Sequence, residues 1–249
     1  MDGDFIVTAF VVIDKTMAAL GHRDDVRARA SDAEVLTVAV VAAKYFQCHL
    51  GRYLSGPLSV SRFSRRLPAL RGWLYLALET LGALFATGGA FLIDSMPVPV
   101  CRRARARRCR KLHGRAFCGT CAAKREKFFG WRLHPVCTAA SVPVACDLLP
   151  ARSHDHTPVH ELCHGLPEGI AVYGDKADNS AADKASLLAD TGVGLVPIRR
   201  GNMRPNDWAD KLALQAHRRR IETRYSQLAA MCLQRLHAAL LAAIVTNGH

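Results

Sequence analysis

The sequence predicts an α/β chain: a helical N-terminal region, then a layer of strands with helices packed on both faces. Three observations carry this. The first 85 or so residues place apolar side chains at helical spacing behind a clear cap signal. Beyond Gly88 the pattern changes to short runs rich in Val, Ile and Phe, separated by turn residues. Helical stretches alternate with those runs, as they do where helices cover a sheet. At 249 residues, 50% of them hydrophobic, the chain can bury one large core with an appendage, which excludes a wholly disordered polymer.

The elements follow in order. Ser31-Asp32-Ala33-Glu34 has the S-x-x-E form of a capping box, and the apolar run VLTVAVVAAKYF comes directly after it. A later helical stretch carries Arg62, Arg65 and Arg66, whose spacing puts them on one face as candidate phosphate contacts. Trp73 to Ile93 is long enough to span a bilayer, but Glu79 and the punctuating Gly82, Gly88 and Gly89 favour a buried helix, a Gly turn and a buried strand. Strands are predicted at 90–94, 128–139, 142–151, 169–175 and 192–199. Helices are predicted near 157–164 and 181–190, from about Asp207 to Leu228, and near the chain end.

Charge narrows the partners. Lys and Arg number 34 against 21 Asp and Glu, a formal +13 with a pI near 9.7. A balance that basic points to a polyanion. Between Cys101 and Arg132 twelve basic residues meet one acid, Glu126, in a span expected to be largely loop. Arg102, Arg103, Arg105, Arg107, Arg108, Lys124, Arg125 and Lys127 are therefore candidate contacts to a nucleic-acid backbone. Lys176, Arg199 and Arg200 follow later strands and join them as candidates.

Nine cysteines in a chain this long read as reduced thiols of a cytosolic protein, and the acidic start, Asp2-Gly3-Asp4, is unlike a secretory signal. Cys118 and Cys121 form a C-x-x-C with Cys101, Cys109 and His113 upstream. The upstream cysteines are separated by seven residues rather than two to four, which argues against structural zinc.

Three acids stand where chemistry would need them. Asp94 and Asp175 each end an apolar strand, where a carboxylate is fixed yet reaches solvent. Glu222 sits at the edge of the buried face of the last long helix. Phosphoryl transfer needs charge stabilisation and an activated oxygen nucleophile, and two divalent ions held by a few carboxylates supply both. His154 and Asp155, in a loop after a strand, are candidates to approach such a site without holding it.

Six segments resemble the DDE transposases of bacterial insertion sequences, closest to the insertion-sequence family numbered nine-eighty-two. They are IDSMPVPVC (93–101), KFFGWRLH (127–134), YGDKA (173–177), RIETRYSQL (220–228) and the N-terminal pair SDAEV (31–35) and SRFSRR (61–66). The resemblance implies an RNase H-like core, a mixed five-stranded sheet flanked by helices, over residues 88–249, and a helical DNA-binding region over 1–87. It implies that Asp94, Asp175 and Glu222 are catalytic and hold two Mg²⁺ or Mn²⁺ ions, with Asp94 between them. The implied reaction is cleavage at terminal inverted repeats followed by strand transfer into target DNA, performed by a homo-oligomer on double-stranded DNA. The implied setting is cytoplasmic, on the nucleoid, with no membrane partner. Asp178 departs from the family pattern, which has an aromatic residue there, and only 27 residues follow Glu222. A shortened, inactive copy that only binds DNA and an RNase H-like nuclease without strand transfer are the alternatives.

Overall fold

The structure, a computed structural model, describes residues 3–46, 58–110, 112–121, 125–140, 142–153, 158–174 and 181–197. Within these the chain divides into two compact units, the first ending at Phe85 and the second beginning at Ala86.

The first unit is helical: α1 (Gly3–Ala19), α2 (Asp32–Tyr45), α3 (Val60–Ala69) and α4 (Arg71–Phe85). The capping box forms as its sequence predicts. Ser31 Oγ accepts from Glu34 N at 3.0 Å, and Ser31 N donates back to Glu34 Oε2 at 2.6 Å. Two of the donors that a helix start leaves orphaned are thereby satisfied. α1 buries Phe5, Ala9, Ile13 and Met17, a stripe recurring every fourth residue, while α2 buries Val35, Leu36, Ala39, Val40 and Val41 with no exposure at all. Each such Val, Leu or Ile contributes about 1.5–3 kcal/mol of burial.

The apolar stretch from Trp73 to Ile93 resolves into most of α4, a turn and a strand. Gly88 in that turn has φ +116°, a backbone that side chains rarely adopt. Among the described residues no helix is long and apolar enough to cross a membrane.

The second unit holds one mixed, seven-stranded sheet. Its strands are β1 (Ala90–Ile93), β2 (Met96–Arg102), β3 (Cys118–Cys121), β4 (Glu126–Thr138), β5 (Pro143–Pro150), β6 (Ala171–Gly174) and β7 (Gly194–Pro197). α5 (Val159–Cys163) and α6 (Ala181–Thr191) flank it. β5 pairs antiparallel with β4 and β4 antiparallel with β1, whereas β1, β6 and β7 run parallel. This mixed five-strand run is consistent with an RNase H-like core. The crossover that parallel strands require is α6, between β6 and β7.

β2 and β3 extend the five predicted strands. β2 continues β1 along the same side of β4: Ile93 pairs with Val136 and Met96 with Leu133, so the register is unbroken across Asp94 and Ser95. The sequence concealed β2 because Pro97 and Pro99 read as strand breakers. Both occupy the same phase of the alternation, so neither is asked for the N–H that the partner strand needs. The basic span is also more ordered than the loop expected of it: after β2 comes a short 3-10 helix, Arg103–Arg108, and a second one at Arg115–Phe117.

Candidate active site

β1 is buried from Phe91 to Ile93, each at most 3% exposed. The strand stops at Asp94, whose half-buried carboxylate accepts from Ser95 N at 2.7 Å. The continuous register sets Asp94 opposite Pro135, a residue with no N–H to offer, and Ser95 opposite the buried His134. Arg132 donates to Ser95 Oγ at 3.3 Å and to the Thr120 carbonyl at 3.3 Å. The Asp94 level is thus tied to β4 and β3 by a charged side chain.

β6 lies beside β1 and parallel to it, with Leu92 opposite Tyr173. The carboxyl ends of β1, β6 and β7 therefore share one edge of the sheet, where α/β folds gather their sites. Asp94 is at that edge, and Gly174 is the last residue of β6. Asp175 is next in the chain. It lies outside the described residues, as do Glu222, His154, Asp155, Lys124, Lys176, Arg199 and Arg200.

The arginines at the end of β2 are all at the surface. Arg102, Arg103, Arg105, Arg107 and Arg108 are exposed, and among the described residues no carboxylate forms an ion pair with any of them. In a 3-10 helix positions three apart eclipse, with a rise of about 2 Å per residue. Arg105 and Arg108 therefore fall in line, roughly 6 Å apart, and Arg102 precedes the helix at the end of β2. Arg125, at φ 50°, and Lys127 are exposed at the start of β4.

In the helical unit the three arginines of α3 separate. Arg62 and Arg65 are exposed, whereas Arg66 is half-buried. Its guanidinium donates to the Ala30 carbonyl at 2.9 Å and to the Asp32 carboxylate. Asp32 also meets His22 Nε2 at 3.0 Å, and its backbone N–H donates to Asp24 Oδ1 at 2.7 Å. One ligand atom each from His22, Asp24 and Asp32 lies within 4.8 Å of the others, close enough to share a cation. Arg66 pairs with Asp32, His22 Nε2 lies 3.6 Å from Asp24 Oδ1, and the hydrogen bonds join the α1–α2 connection to α3. Nothing in the local pattern of the chain marks this group, because Arg66 is 34 residues from Asp32.

Cys118 and Cys121 lie three apart on β3, in regular register with β4, so their side chains leave opposite faces of the strand. Cys101 and Cys109 lie at either end of the arginine segment, both half-buried. Burial, and then the neighbouring Cys109, push the Cys101 thiol above its ordinary range, with Arg105 opposing.

A family model described as Transposase DDE domain matches residues 85–238, well over half of the chain. No curated protein and no solved structure matches it.

Proposed function

Because the chain belongs to the family of transposase DDE domains, we propose that Asp94, Asp175 and Glu222 are its catalytic carboxylates, cutting and joining double-stranded DNA at the terminal inverted repeats of an insertion sequence. Membership makes the chain a transposase of the DDE type and implies use of a divalent metal. The finer assignment, to the insertion-sequence family numbered nine-eighty-two, is supported by the six sequence segments that resemble it.

One observation carries the reading. Asp94 is a half-buried carboxylate at the carboxyl end of β1, and the parallel neighbour β6, in register with it, leads directly into Asp175. Two acids that follow adjacent, in-register strand ends are well placed to converge. The all-oxygen donor set suits a hard cation, Mg²⁺ or Mn²⁺, rather than a soft one. Two such ions, when bound, supply charge neutralisation and lower the cost of forming an oxygen nucleophile.

The chain's own residues do the rest. Asp94 is oriented by the Ser95 N–H, and Ser95 by Arg132, so the carboxylate is held ready rather than organised on binding. The exposed arginines from Arg102 to Arg108 track the phosphate backbone, and Arg62 and Arg65 of the helical region add contacts. Arg66 positions the helical region through Asp32. Water displaces the 3′-oxygen at the element's end by in-line attack on phosphorus. The 3′-hydroxyl so freed attacks a phosphodiester of target DNA in the same way. Joining two ends requires two sites, hence a homo-oligomer on DNA, acting on the nucleoid in the cytoplasm.

The test is Asp94→Asn. Cleavage of an inverted-repeat duplex in Mg²⁺ or Mn²⁺ falls at least about a hundredfold, some 2.7 kcal/mol of barrier, while binding of the duplex persists. Cleavage at the wild-type rate would remove Asp94 from the site. A wild-type chain that binds but never cuts marks an inactive copy, and cutting without joined products marks a nuclease.

A further inference from the structure

We propose that His22, Asp24 and Asp32 form a divalent-cation site in the helical unit, holding an ion of the Zn²⁺ class through one imidazole nitrogen and two carboxylate oxygens. The fold brings the three together from both ends of the α1–α2 connection. α1 stops at Ala19, and Gly21, at φ +79°, turns the chain: Gly21 N donates to the Ala18 carbonyl at 3.0 Å and His22 N to the Met17 carbonyl at 2.9 Å. This glycine-terminated helix end fixes where His22 leaves the backbone. Asp32 is the first residue of α2, directly after the capping Ser31, and its N–H donates to Asp24 Oδ1 at 2.7 Å.

The distances suit a small ion. His22 Nε2 lies 3.0 Å from Asp32 Oδ2 and 3.6 Å from Asp24 Oδ1, and one ligand atom from each of the three lies within 4.8 Å of the others. Zn²⁺ binds nitrogen and oxygen at about 2.0–2.2 Å, so its tetrahedral ligand atoms stand roughly 3.3–3.6 Å apart. Small side-chain rotations close the set, and a water takes the fourth position. The mixture of nitrogen and oxygen donors favours Zn²⁺ over Mg²⁺ or Ca²⁺, which prefer oxygen alone.

Each ligand is also held from outside. The Trp73 ring meets the His22 ring edge to face, with centroids 4.7 Å apart. Arg66 takes Asp32 Oδ1, which leaves Oδ2 directed at His22. Supports of this kind orient metal ligands before the ion arrives. Two carboxylates against one guanidinium leave a negative charge for the cation to meet. The His22 and Asp32 side chains are only 14% and 16% exposed, whereas Asp24 is 42% exposed and marks the way in. His22 Nε2 gives up its proton to solvent, and the ion takes the place of the hydrogen shared with Asp32. Bound there, the ion ties the end of α1 to the start of α2.

None of these residues belongs to the catalytic set proposed above, so the test needs no transposition assay. The full-length protein is dialysed against a slight excess of Zn²⁺, and the retained metal is counted by elemental analysis. Asp24→Asn and His22→Gln should each retain about one ion fewer per chain than the wild type. Asp24→Asn keeps an oxygen that accepts from the Asp32 N–H, so the connection keeps its fold. The cysteines are the same in every variant, so zinc bound by thiols cancels in the comparison. Zn²⁺ should also raise the melting temperature of the wild type more than that of Asp24→Asn. The same difference of about one ion should appear when Asp24→Asn is added to Asp94→Asn. Equal zinc retention in the wild type and both variants, or equal melting shifts, would overturn the proposal and leave the three residues as a hydrogen-bond network. A difference that vanishes in the Asp94→Asn background would assign the ion to the catalytic acids and overturn it too.

Discussion

Gly130 is the residue on which the seat of the arginine segment depends most directly. It is buried in β4, paired with Pro99 of β2 beside the register shift between Pro99 and Cys101. A Cβ added there would stand 2.4 Å from the Val98 carbonyl oxygen, 2.8 Å from Val100 N and 3.0 Å from Pro99 Cα. All three atoms are backbone, so no rotamer change can relieve the clash. The contacts are roughly an ångström inside the 3.5–4.0 Å optimum of packed carbon atoms. Relief requires β2 to move by about that much, which stretches nearby ladder hydrogen bonds, each worth about 0.5–1.5 kcal/mol net. Overpacking adds about 1–3 kcal/mol.

Gly130→Ala should therefore lose about 3 kcal/mol. At roughly 2–4 °C per kcal/mol for a chain of this size, the melting temperature should fall by some 6–12 °C. Differential scanning calorimetry, supported by a urea titration, measures it. Gly72→Ala serves as the control, since a Cβ there meets nothing within 4 Å and replaces a poor helix former at the start of α4. It should be neutral or slightly stabilising. If Gly130→Ala melts within a degree of the wild type, the close approach of β2 to β4 is wrong, and so is the placing of Arg102 at its end.

Two further predictions use the polar groups. Asp32→Asn should cost about 1–3 kcal/mol, because it weakens charge-assisted bonds to Arg66 and His22 at side chains only 28% and 14% exposed; adding Arg66→Ala should cost less than the sum of the two, and strict additivity in urea midpoints would show that the pair is not coupled. Replacing Arg102, Arg105 and Arg108 together by Ala should weaken duplex binding and reduce the log–log salt slope by about 0.9 for each phosphate that the chain no longer neutralises. An unchanged slope in fluorescence anisotropy would place the DNA elsewhere.

Much of the second unit was legible from alternation. The runs at 128–139 and 142–151 became Glu126–Thr138 and Pro143–Pro150, and the helix near 181–190 became Ala181–Thr191. These segments bury one pattern of residues against their neighbours, and the pattern is local. The capping box was legible for the same reason: its donors and acceptors lie within four residues. β2 was not, because strand propensity counts a proline as a breaker wherever it stands, while pairing penalises only an N–H missing on the bonded side.

The sequence by itself determined the capping box, the concentration of positive charge between Cys101 and Arg132, and the carboxylate at the end of β1, because each depends on residues close together in the chain. Only the tertiary structure decided that β1 and β6 run side by side in register, and that Arg66 turns inward to Asp32 while Arg62 and Arg65 remain at the surface. These outcomes are set by packing, which brings partners from distant or oppositely running segments to within a hydrogen bond, and a local pattern carries no record of that distance.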